Sequence, residues 1–212
     1  MLIRNRRSLR VIFLIALSLV GPVYWLLGRP WHIRWGATEA EIDQPLPGDE
    51  IVKHPRNWST RAIAIHAPAA VIWPWLLQIG QGRGGLYSYD WLENLAGCDI
   101  HTADRIIPEF QHLQVGDEVR LGPDGYPFFA VAAIEPGRAL VLGGNPDPRA
   151  GNHSWVFFLD PIDEATTRLI VRSRGDYPPT VGNFVICRVI TEPLQFVMER
   201  KMLLGIKQRA EG

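Results

Sequence analysis

Hydrophobic and polar positions divide the chain into an apolar head, an unpatterned lead-in, and a region where periods of 2 and 3.6 alternate. Val11 to Leu27 is an uninterrupted apolar run of 17 residues. As a helix it spans about 25 Å, enough to cross a hydrocarbon core with little tilt. Residues 29–57 hold four prolines and an acidic patch and show no strong period. From Trp58 to Ala67 the residues alternate, with Arg61, Ile63 and Ile65 on one side of a predicted first strand. Pro68 suits the first position of a helix reaching about Gln78, with a kink expected at Pro74. Tyr89–Leu95 predicts a second short helix, and residues 99–113 an irregular crossing with a helical turn. Strands are expected at 117–121, 127–134, 139–143, 154–159 and 166–174, separated by turns such as Gly122-Pro-Asp-Gly125. The last segment, about 182–210, reads as an amphipathic helix that Pro193 should break or kink. Leu194, Val197, Met198, Met202, Gly205 and Ile206 form its apolar face, opposite Glu199 and Arg200.

This order (strand, two short helices, five strands, long helix) predicts an α+β chain. Its curved antiparallel sheet wraps around the C-terminal helix, because a sheet needs one face covered. A ligand would sit between the two. The domains expected are 1–28, a membrane anchor; 29–57, a linker and lead-in; and 58–212, a ligand-binding domain.

Composition adds direction. The chain is 47% hydrophobic and 21% charged, as a folded protein is. Its net charge is zero, but residues 1–28 carry four arginines and no acid, leaving 18 basic against 22 acidic side chains elsewhere. A mildly acidic domain without a basic stripe argues against a nucleic-acid partner. Four arginines before the apolar run, against Arg29 and Arg34 after it, place the N-terminus in the cytoplasm and the main domain on the other side. Tyr24 and Trp25 suit the membrane interface, and no small-x-small cleavage site follows the run. Cys98 and Cys187 are too few for a zinc site or a disulfide scaffold; a single bridge between them stays open.

Chemistry is sparse. Gly80-Gln-Gly82-Arg-Gly-Gly85 matches GxGxxG, but a helix precedes the loop where a dinucleotide site needs a strand. Arg83 in that loop could pair with a carboxylate or phosphate. Asp99, His101 and Asp104 form the compact His/Asp cluster, which reads better as capping and solvation than as a metal site. His101 and Tyr87 are the candidates for proton transfer. No metal or cofactor is expected.

The layout, with WPWLLQIGQGRGGLYSYDWLENL, IIPEFQHLQVGD and FVMERKMLLGIKQRAE, resembles the START-like helix-grip superfamily SRPBCC, which includes polyketide cyclase-like and lipid-binding proteins. The resemblance covers about residues 55–210. It implies a helix-grip fold with a hydrophobic ligand beneath the C-terminal helix, and leaves chemistry open, since only some members are enzymes. The expected function is membrane-anchored binding of a lipid, polyketide-like or isoprenoid compound. The alternative is a cyclase, dehydratase or hydrolase acting in the same cavity. Trp73, Tyr87, Trp91, Trp155, Phe157, Phe196 and Met198 are the expected walls, with Arg83 or Arg172 selecting a polar end. The oligomeric state stays open.

Overall fold

The structure is a computed structural model that describes residues 21–144 and 152–212. Most of the expected membrane anchor, residues 1–20, lies outside the described residues. The described part of it is the start of helix α1, residues 21–33, which contains a π-helical stretch at Tyr24–Gly28. A short helix α2 (Glu39–Asp43) follows. Its N-terminus is closed by a capping box, in which Thr38 accepts from the Glu41 backbone and Glu41 accepts from the Thr38 backbone.

One six-stranded antiparallel sheet organises the rest. Its strands are β1 (Asn57–Ile65), β2 (Glu118–Arg120), β3 (Phe128–Glu135), β4 (Ala139–Gly143), β5 (His153–Pro161) and β6 (Thr167–Gly175), in the order β1-β6-β5-β4-β3-β2. Strands β2 to β6 form a meander whose neighbours are joined directly, and β1 closes the far edge against β6. Between β1 and β2 come α3 (Ala69–Leu77) and α4 (Asp90–Leu95). The C-terminal helix α5 (Val181–Glu211) packs on the sheet. This is the helix-grip layout. Ile65, Leu140, Leu142, Phe157, Leu159, Leu169 and Val171 line the sheet's inner face and are buried with Ile72 and Leu76 of α3 and Met202, Leu203 and Ile206 of α5.

The outer face also has a cover. The segment from Ala37 to about Ile51 lies across it, and Ala37 and Leu46 pack with Ala62, Ala139, Phe158 and Ile170. Arg172 of β6 fastens this strap. It donates to Asp49 (2.7 Å), the backbone carbonyls of Glu41, Ile42 and Gln44, and the Thr60 hydroxyl. Arg168 adds a two-pronged pair with Glu41.

Two expectations about α5 change. Pro193 does not end the helix, because Val185–Thr191 is π-helical and the Glu192 N–H bonds the Cys187 carbonyl five residues back. Glu199, expected among the outward polar residues, is buried. The expected apolar face divides: Met202, Gly205 and Ile206 point into the core, whereas Leu194 and Val197 stand exposed.

Candidate functional site

A cavity of ≈ 390 Å³ lies between the sheet and α5. The helix supplies one wall through Cys187, Thr191, Gln195, Met198 and Met202, a stripe at steps of three and four that puts them on one side. Across from it stand Phe129, Trp155 and Ser173 of the sheet, with Asn57 and His153 at the sheet's end. The third wall comes from the loop–helix region after α3, with Leu86, Ser88, Glu93 and Cys98. The lining is mainly apolar with a few polar groups, as small-molecule sites are.

Most of those polar groups are already engaged. Glu199 accepts from Arg61 Nη1 (2.8 Å) and Trp155 Nε1 (3.2 Å). Arg61, with no exposed surface, also donates from Nε to the His32 carbonyl (2.9 Å), and its guanidinium lies over the Phe196 ring. This buried pair joins β1, α5 and α1 at one point. Gln195 bonds Ser173, and Ser88 bonds the Met198 carbonyl. Glu93 differs. It is only 7% exposed, and its Oε2 has no hydrogen-bond partner. Burial, with Asp90 adding its negative charge, pushes the carboxyl up to about 7. A carboxyl in that range can donate or accept a proton near neutrality. Beside it the Cys98 thiol is also pushed up, by burial and by Glu93. Cys98 and Cys187 are both free thiols facing the same cavity.

Among the residues picked out in the sequence, Trp155 and Met198 line this cavity. Phe157 is fully buried beneath Trp155, their rings 4.7 Å apart, and serves as core. Trp73 packs at the edge of the main core. Tyr87 is buried behind the cavity wall: its hydroxyl donates to the Trp75 carbonyl (2.9 Å), and burial raises its phenol. Its φ of 55° holds the loop in the left-handed region. Trp91 is 68% exposed on the outer side of α4. Arg83 is tied to the carbonyls of Leu77 and Phe110 and stacks on the Phe110 ring, so it braces the glycine loop. Arg172 is on the opposite face of the sheet, since side chains alternate and Val171 and Ser173 take the inward positions. Phe196 turns toward α1, where it meets Trp31, His32 and Trp35. His101 is exposed and pairs with Asp99 (3.0 Å). Among the described residues no group of three or more His, Cys, Asp or Glu converges on a point.

Sequence reasoning missed Glu93, Cys98, Phe129, Cys187, Gln195 and Glu199. The helical spacing of 187, 191, 195, 198 and 202 was a usable signal. The burial of Glu93 was not, because Asp90 and Glu93 look alike in a short helix.

No protein-family model matches the chain, and no curated protein matches it. Solved structures similar to it include a protein from Chromobacterium violaceum, at 15% identity and TM-score 0.44, covering 74% of this chain and 99% of that one. Another is the Zhui aromatase/cyclase from a Streptomyces species, at 11% identity and TM-score 0.42, covering 73% and 93%. A third is a Polyketide_cyc-like protein from Corynebacterium glutamicum, at 18% identity and TM-score 0.36, covering 71% and 89%. All three are likenesses of fold at low sequence identity.

Proposed function

We propose that the protein holds a hydrophobic small molecule, of lipid, polyketide-like or isoprenoid type, in the cavity between the sheet and α5. The ≈ 390 Å³ cavity, with Phe129, Trp155, Met198 and Met202 in its walls, is the observation that carries this reading. Burying roughly 250 Å² of apolar ligand surface there would contribute about 6 kcal/mol before the costs of ordering. Glu93 is the natural anchor for a ligand hydroxyl or carbonyl, because its Oε2 is buried without a partner. In this reading the domain is tethered to a membrane by the apolar run Val11–Leu27 and lies on the non-cytoplasmic side.

Glu93 also supports a second reading, an enzyme working in the same cavity. Tyr87 and His101 do not reach the cavity, so Glu93 would handle protons, protonated to donate and ionised to accept. Native mass spectrometry of the detergent-extracted full chain separates the two. A retained apolar compound that stays unchanged on incubation supports binding, and a converted one supports catalysis. A protein that carries no compound and fails to quench Trp155 with any apolar probe would sink both. For sidedness, a reporter active only in the cytoplasm is fused to the C-terminus; activity there would overturn the non-cytoplasmic placement.

A further inference from the structure

The N-terminal half of α5 carries a row of exposed apolar side chains. Val181, Ile186, Val189, Ile190, Leu194 and Val197 all point outward, each between 45% and 82% exposed. Helix α5 is 31 residues long, and 6% of its most apolar 18-residue window is buried. A continuous apolar row of this size marks an interaction surface.

What covers it follows from the neighbouring helix. Trp25 of α1 stacks on Phe184 at 5.9 Å, Arg29 makes a two-pronged pair with Glu192, and Trp31 meets Phe196 at 5.2 Å. Residue numbers rise together along both helices, so they are parallel, and Gly21 lies at the Val181 end. The described chain therefore enters the domain at that end. Val23, Leu26 and Leu27 of α1 are exposed there too and extend the apolar rim.

Charge marks the same end. A groove of ≈ 890 Å³ at the foot of α5 is lined by Lys53, His54, Arg56 and Arg188 together with Val181 and Phe184. Among the described residues its lining contains no carboxylate. Asp176 nearby pairs with Arg56 (3.0 Å). Arg188 donates to the Arg56 carbonyl, while its buried Nε has no partner. Basic side chains beside an apolar helix face match the boundary between acyl chains and anionic headgroups.

We infer that the Val181–Val197 face of α5 lies in the bilayer interface beside the N-terminal run, with anionic phospholipid headgroups seated in the Lys53–Arg188 groove. This rests on the membrane tether proposed above. The groove also borders the cavity: Arg56 precedes Asn57, and Arg188 follows Cys187, and both of those neighbours line the cavity. A ligand would thus pass between bilayer and cavity along α5 without crossing water.

The test uses the full chain in lipid nanodiscs, with Cys98 and Cys187 replaced by Ser and a spin label at Ile190→Cys. In discs containing phosphatidylglycerol the label is expected to collide more with oxygen than with a water-soluble nickel chelate. A label equally open to the chelate, while the protein stays with the discs, overturns the inference and leaves the tether standing. Strong spin–spin coupling between labels instead shows a second copy on this face, and overturns it as well. Protein that leaves the discs altogether overturns tether and docking together. Independently, Lys53→Gln is expected to lower the enrichment of phosphatidylglycerol over phosphatidylcholine among bound lipids about fivefold at low salt. Unchanged enrichment overturns the headgroup site.

Discussion

From Glu199 to Ile206, α5 buries Met202, Leu203, Gly205 and Ile206 against sheet and loop, whereas from Val181 to Val197 it leaves its valines and isoleucines in the open. One backbone carries both halves, and the exposed half is the more apolar. What differs is what lies opposite. The C-terminal half faces α3 and the inner surface of β1; the N-terminal half has α1 on one side and the cavity on its inner side, and its valines and isoleucines face neither. Hydrophobicity says that a surface is to be removed from water, and the surroundings decide what removes it. The join is the buried pair Arg61–Glu199, to which the half-buried Trp155 also bonds, where the helix passes from core to cavity.

The largest expected effect is at that join. Glu199→Gln leaves Arg61 buried with a charge and no counter-ion, at a cost of about 3–5 kcal/mol. Chemical denaturation in detergent reads it, and a loss below about 1 kcal/mol would mean that water reaches the pair. Next comes the packed half. A Cβ at Gly205 would sit 2.4 Å from the Tyr87 carbonyl oxygen, so Gly205→Ala must push the helix off the loop. The expected cost is about 1–3 kcal/mol, with loss of apolar-probe binding as the cavity wall shifts.

Between the halves, Glu93 faces the cavity and makes the protein's stability depend on pH. Its folded carboxyl titrates at about 7 against 4.5 for an unperturbed glutamate, so the folded state holds the proton more tightly. The wild type therefore loses stability as pH rises from 4.5 through about 7, and Glu93→Gln does not. The two variants should converge below pH 4.5. Above pH 7 the variant should be more stable by about 1–2 kcal/mol, less than the full shift implies because the open cavity lets solvent screen the charge. Parallel pH–stability curves would refute this placement of Glu93. The smallest effect belongs to the exposed half: Ile190→Ser should change the domain's stability in detergent by under about 0.5 kcal/mol. A cost above about 2 kcal/mol would show that this face is packed in the folded chain, erasing the contrast.

Much of this arrangement could be read along the chain. The alternation in 58–67 and the turn residues around 122–125 located β1 and the β2–β3 hairpin to within a few residues. The 3.6 period located α5. The site was less legible. Trp155 and Met198 sit at cavity positions because strand parity and helical phase say which side they share. Phe196 is two residues from Met198, which turns it by some 200° toward α1. Arg172 sits on the parity opposite Val171, yet parity does not say that a strap would cover that face. Trp91 and Trp73 show that an aromatic next to a glycine loop can equally be surface or core.

The sequence by itself determined where the six strands and the helices after β1 lie, how side chains alternate along each strand, and that Val11–Leu27 is an apolar run long enough to cross a bilayer. These follow from local sterics and the period of side-chain direction, properties of a few neighbouring residues. Only the tertiary structure decided that Glu93 and Glu199 are buried while Val189 and Ile190 are not, and that Arg61 finds its partner 138 positions away. Burial and pairing depend on which surfaces meet across long loops, and no period within one segment records that meeting.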